Sequence, residues 1–193
     1  MSSQYRQQIN RWLKERTFKA DQVLDVGGLE GPARKLTNLE CNRYVILDYK
    51  QEEGVGIVHD LNEFKHADDL FEIEKNPRFD LIFCLNVFEY IWNPYNAIAN
   101  LYTWLPEGGT VVVNFPFVYP VHNPEGIDYL RYTHEWVRKM FQDRFKFSEV
   151  DVTILQATIG ADYLRLFYGA EGMHMRKNDD TWREIGCIVK ATK

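Results

Sequence analysis

A chain of 193 residues with 45% hydrophobic and 26% charged side chains has the make-up of one ordinary globular domain, large enough for a substantial core. Its formal charge of −5 gives no general attraction for phosphate backbones, so duplex nucleic acid is not an expected partner. No run approaches the roughly 18 apolar residues of a membrane span, and the start of the chain is too polar for a signal peptide. Cys41, Cys84 and Cys187 form no CxxC pair. No metal centre is expected, Cys84 and Cys187 read as buried thiols inside apolar runs, and the expected setting is the reducing cytoplasm.

Tyr5, Ile9, Trp12 and Leu13 recur at helical spacing, so residues 3–16 are predicted to form an amphipathic helix heading an N-terminal segment, 1–18. Its apolar face can cover the sheet or close over a ligand, and core packing is the expectation. Val23, Leu24 and Val26 make 22–26 a strand covered on both faces. Gly27, Gly28 and Gly31 allow a sharp turn and close approach to a ligand, and Pro32 suits the first turn of a helix over 33–39. A second strand, 43–47, ends at Asp48, and a third, 56–59, ends at Asp60. Only residues 49–55 separate these two, fewer than the dozen or so a helical crossover needs. A bare loop and a thinly covered flank of the sheet are therefore predicted.

Residues 61–75 look helical through Leu61, Phe64, Leu70, Phe71 and Ile73, and 79–84 is a fourth strand. Pro94 opens a helix to 105 that packs through Ile98, Leu101 and Leu105. Pro106-Glu-Gly-Gly109 then turns the chain into a fifth strand, 110–115. Thr133 is a plausible N-cap for a helix to 143. Two further strands, 147–155 and 184–191, flank a short helix near 161–167 and a polar loop over 169–183. Strands alternating with helices predict a single α/β domain over 1–193, with a mostly parallel sheet and right-handed crossovers.

In open α/β sheets ligands bind beyond the carboxyl ends of the strands. Here those ends carry the glycine turn, Asp48, Asp60 and Leu85-Asn86. Asp48 follows Asp25 by 23 residues, close to the offset of a carboxylate that bonds ribose hydroxyls. Singly, each aspartate reads as a cap or turn former. Two of them in register behind a glycine turn point to a nucleoside site.

On these residues the chain resembles a class I S-adenosylmethionine-dependent methyltransferase, most similar to the small type-11 group, over roughly 20–145 and again at the last strand. Asp25-Val-Gly-Gly-Leu-Glu-Gly31 matches the family's first motif, with Leu29 in place of the middle glycine and Gly28 as an extra one. Leu105-Pro-Glu-Gly-Gly-Thr-Val-Val-Val113 matches its late proline-glycine-glycine motif, and Tyr129 to Trp136 resembles the stretch leading into its fifth helix. The resemblance implies a Rossmann-like sandwich: a seven-stranded sheet in the order 3-2-1-4-5-7-6, strand seven antiparallel, helices on both faces. It also implies S-adenosylmethionine as cofactor, with Asp25 opening the motif and Gly27, Gly28 and Gly31 flanking the methionine part. Asp48 would hold the ribose, Tyr49 would lie against the adenine, and Asp60 would accept from the adenine amino group beside Leu61. Leu85 and Asn86 fall near the cofactor, and Tyr90 stands where relatives carry a histidine.

Methyl transfer asks mainly for an in-line placement of acceptor and methyl, with a base only where the acceptor must lose a proton. The segment 115–132, expected to arch over the methyl as a lid beside 169–183, offers His122 and Asp128 as candidate bases, with Arg131 to orient an anion or pair with Asp128. The aromatic lining of this segment suits a small molecule or sugar as acceptor. Two other readings accompany this one. The first is a catalytically degenerate S-adenosylmethionine-binding partner or sensor. The second is a nicotinamide-dependent Rossmann oxidoreductase, which the lack of a G-x-G-x-x-G disfavours.

Overall fold

The structure, a computed structural model, describes residues 3–29, 31–70, 79–121, 127–158 and 182–193. It opens with α1 (Gln4–Lys14), capped by the Ser3 hydroxyl, which accepts from the Arg6 N–H. Tyr5, Ile9, Trp12 and Leu13 are the buried face, as the spacing predicts. The strands are β1 (Thr17–Val26), β2 (Asn38–Asp48), β3 (Ile57–Val58), β4 (Leu81–Cys84), β5 (Thr110–Pro116), β6 (Glu149–Thr158) and β7 (Trp182–Thr192). They form one sheet in the order β3-β2-β1-β4-β5-β7-β6. All neighbours are parallel except β7, which is antiparallel to both β5 and β6.

Alternation along the central strands divides the core into two layers. Ile82 and Cys84 of β4, with Val111, Val113 and Phe115 of β5, face one layer, where α4 (Pro94–Trp104) supplies Ile98, Leu101 and Trp104. α5 (His134–Arg138), which continues as a π-turn over Lys139–Arg144, adds Val137 and Phe141 to the same layer. Leu81, Phe83 and Val112 face the opposite layer, filled by the apolar stripe of α1. Asn93 caps α4 through the Asn96 N–H and Thr133 caps α5 through the Trp136 N–H.

Several boundaries differ from the sequence reading, for one recurring reason. β1 and β2 are longer than 22–26 and 43–47 because Thr17 pairs with Asn38 and the ladder keeps one register from there to the glycine turn. Their outer halves alternate exposed residues with half-buried ones, or in β1 with the buried Phe18, so they lack the apolar run of a fully covered strand. The same pairing shortens α2 to Ala33–Leu36, because Thr37 is already extended. The predicted helix 61–75 begins late, with α3 at Ala67–Leu70. Its first residues are turns that Asn100 holds by accepting from the Lys65 N–H and donating to the Glu63 carbonyl. Residues 71–75, the predicted helix near 161–167 and most of the loop 169–183 lie outside the described residues; Trp182 and Arg183 belong to β7. The link between β2 and β3 is a bare loop, and β3 is an edge strand of two residues with Val58 46% exposed.

Candidate cofactor site

The glycine turn continues the β1–β2 ladder by one bond, from the Gly27 N–H to the Leu47 carbonyl at 2.8 Å. Gly27 has φ +69°, and a Cβ there would lie 2.7 Å from Val87 Cγ2, so both conformation and space require glycine. Gly28 is required for a different reason. A Cβ on it would fall 2.3 Å from Cγ of Asp25, whose buried carboxyl sits beneath the turn and accepts from the Tyr44 hydroxyl. Burial raises the Asp25 carboxyl to about 6, partly offset by that hydrogen bond, and burial likewise pushes the Tyr44 phenol upward. Asp25 and Gly28 therefore build the turn from below, without lining the cavity above it.

Two chambers open above the carboxyl ends of the strands. The larger, about 410 Å³, is lined by Gly27, Asp48, Tyr49, Asp60, Leu61 and Asn86 among the residues singled out from sequence. The smaller, about 310 Å³, is lined by Gly27, Gly31, Leu85 and Asn86. Volumes of this size suit a small cofactor. Asp48 and Asp60 stand at the ends of adjacent strands, and each is a turn former as well as a candidate ligand. Oδ1 of Asp48 accepts from the Lys50 N–H at 3.3 Å, and Oδ1 of Asp60 accepts from the Asn62 backbone and side-chain N–H groups, both at 2.9 Å. Among the described residues neither Oδ2 is used, which leaves one carboxylate oxygen of each for ribose or base. Tyr49 is 55% exposed at the mouth.

The structure adds residues that motif spacing does not signal. His59 lines the large chamber, with Nε2 3.0 Å from the Glu63 carbonyl; burial lowers its pKa, so it is neutral. Asn62 receives the Trp92 and Asn93 N–H groups on Oδ1, both at 3.0 Å, and so ties the start of α4 to the Asp60 turn. Tyr90, Trp92, Ile127 and Tyr129 form the remaining wall. Tyr90 is pushed up to about 12 by burial and by Glu89, so its phenol keeps its proton at neutral pH. In the small chamber the additional residues are Arg6, Ile9 and Asn10 of α1. The apolar face of that helix, Tyr5, Ile9, Trp12 and Leu13, packs into the core as expected, while Arg6 and Asn10, four residues apart, line the cavity beside it. An i, i+4 polar pair beside the apolar stripe is the one sequence signal that could have found them.

Asp128 is placed beside the chambers without lining either. Its carboxylate is held bidentately by Arg131, through Nη1 and, at 2.9 Å, through Nη2. Arg131 also donates to the Tyr119 carbonyl at 3.0 Å. His122 lies outside the described residues. Among the described residues no group of histidine, cysteine and acidic side chains has the arrangement of a metal site, and no helix is long and apolar enough to cross a membrane. All three cysteines are free, with Cys84 and Cys187 buried.

The family model described as a methyltransferase domain matches residues 1–149, well over half of the chain. No curated protein matches it. An S-adenosylmethionine-dependent methyltransferase from Archaeoglobus fulgidus superposes with a TM-score of 0.59 at 11% identity, over 98% of this chain and 92% of that one. A complex between the Haloferax volcanii Trm112 methyltransferase activator and a methyltransferase gives 0.55 at 17% identity, over 98% and 92%. Phosphoethanolamine N-methyltransferase 2 of Haemonchus contortus, bound to S-adenosyl-L-methionine, gives 0.57 at 15% identity over 96% of this chain and 52% of that one. This chain thus spans about half the length of that last protein. Identities this low establish the fold alone, and the sheet order with its antiparallel last strand decides against the nicotinamide-dehydrogenase alternative. With the family match and the sheet order together, the chain belongs to the class I methyltransferases, and its cofactor is S-adenosylmethionine.

Proposed function

We propose that the protein transfers a methyl group from S-adenosylmethionine to a small-molecule acceptor by in-line displacement. What supports this is the placing of two chambers side by side with Gly27 and Asn86 common to both, Asp48 and Asp60 lining one and Gly31, Arg6 and Asn10 the other. When bound, the cofactor supplies a methyl already activated on a sulfonium. The protein's part is then orientation, which can supply about 7–11 kcal/mol. In this reading Asp48 accepts from the ribose, Asp60 from the adenine amino group, and Tyr49 lies against the base.

The acceptor enters along the wall of Tyr90, Trp92, Ile127 and Tyr129. Among its described lining residues the large chamber holds no lysine or arginine, which disfavours a polyanionic acceptor. With its carboxylate oxygens committed to Arg131, Asp128 braces the segment 127–132, and His122 is the candidate base for an acceptor that must lose a proton. The reading that competes with this one is a binding protein without chemistry. Titration calorimetry with S-adenosylmethionine and its demethylated product, followed by an assay of methyl release with amine and hydroxyl acceptors, separates the two. Binding with turnover is the expected result. Gly27→Val should lose binding even where the variant folds, because its branched side chain is strained at this φ and crowds the turn against Val87. Absence of binding by the unmodified protein overturns the proposal, and binding without turnover on any acceptor favours the sensor.

A further inference from the structure

Gly27 and Asn86 line both chambers and form the ridge between them. Both have left-handed backbone, at φ +69° and +58°. Glycine takes that conformation without cost, whereas asparagine needs something to hold it there.

What holds it is Asn114, a fully buried polar side chain near the end of β5 between Val113 and Phe115. Its Oδ1 accepts from the Asn86 N–H at 2.8 Å. Its Nδ2 donates to the Tyr5 hydroxyl at 2.7 Å and to the Asn86 Oδ1 at 3.3 Å. An amide buried in an apolar strand is costly unless its groups are bonded, and here its bonds go to the strained ridge residue and to α1. Tyr5 is itself buried in the first turn of α1, and the next residues facing inward on that helix, Arg6, Ile9 and Asn10, wall the smaller chamber. One side chain therefore joins the ridge, the adjacent strand and the helix that closes the far chamber.

We infer that Asn114 is a positioning residue of the cofactor site: it fixes Asn86 in its left-handed conformation and seats the N-terminal helix against it through Tyr5. The two chambers then keep the relative placement that a single ligand spanning both requires. This rests on the cofactor placement proposed above.

A double-mutant cycle tests it, read as calorimetric affinity for the demethylated cofactor, S-adenosylhomocysteine. Asn114→Ala in the otherwise unmodified protein should weaken binding about tenfold, the scale of a lost buried hydrogen bond. In an Asn86→Gly background the left-handed turn needs no support, so adding Asn114→Ala should cost no more than about twofold. A purely structural role in the β5 core would give equal losses in both backgrounds, and that result overturns the inference. Tyr5→Phe removes only the hydroxyl and carries the same cycle should Asn114→Ala fail to fold; additive losses overturn the inference there as well. If the unmodified protein does not bind the ligand, the cofactor reading fails. If it binds and Asn114→Ala binds equally well, only the role of Asn114 fails.

Discussion

The two halves of the sheet differ in how they are covered and in what they carry. Around β4 and β5, all of Leu81–Cys84 and Val111–Pro116 are buried, with helices or aromatic side chains against both faces. On the β2–β3 side Leu47 is the one fully buried residue of β2, and β3 ends the sheet as two residues beside a bare loop. The well-covered half resists change because each side chain is held from both sides. At this thin half Asp48 and Asp60 line the larger chamber. The best-held packing lies in one half, and the proposed nucleoside contacts of Asp48 and Asp60 lie in the other.

The largest expected effect therefore falls in the centre. Phe83→Ala removes a fully buried ring packed edge-on against Phe18 at 5.2 Å, and should cost about 3–5 kcal/mol in urea denaturation. A loss below about 1 kcal/mol would mean the central core collapses around the void and is less rigid than described. Asp48→Ala should do the reverse. The substitution removes a charge-assisted hydrogen bond worth about 1.5–3 kcal/mol, so cofactor affinity falls at least about tenfold while the unfolding midpoint barely moves. Unchanged affinity would take the ribose away from the end of β2.

Asp25 lies where the two halves meet, and its effect is a pH dependence. Its carboxyl is held at about 6 in the folded chain against an ordinary 3.8. A raised acid binds its proton more tightly folded than unfolded, so its contribution to stability is fully present below about pH 4 and is lost as pH rises through about 6. Relative to Asp25→Asn, the unmodified protein should lose about 1–3 kcal/mol across that window. Parallel stability curves for the two proteins would contradict the buried, Tyr44-bonded carboxyl. The smallest effect belongs to the edge: Val58→Ala, at a side chain 46% exposed, should stay within about 0.5 kcal/mol of the unmodified protein. A larger cost would reveal that β3 is covered by something beyond the described residues.

Much of the fold was legible because the physics that sets it is local. The apolar stripe of Tyr5, Ile9, Trp12 and Leu13, the opening of α4 at Pro94, the cap at Thr133, and the buried run of β4 each follow from neighbours within a few residues. The outer ends of β1 and β2 were not legible, since Thr17 to Asp21 and Asn38 to Asn42 become strand only by pairing with each other. In the site, Gly27, Asp48, Asp60 and Asn86 could be placed by strand ends and spacing, whereas Trp92 and Tyr129 reach the same cavity from loops whose course no periodicity encodes.

By itself the sequence determined the order of strands and helices, the turn that only glycine can make at Gly27, and the two aspartates at the ends of successive strands. These are matters of backbone conformation and hydrophobic period, which act over short separations. The tertiary structure alone decided that the Asp25 carboxyl fills the space under Gly28, that Arg131 takes the second of its two expected roles and clamps Asp128, and that Asn114 reaches from β5 to both Asn86 and Tyr5. Each of these is a contact between side chains whose partner is chosen by packing in three dimensions, and a buried polar group bonds to whatever the fold brings within about 3 Å of it.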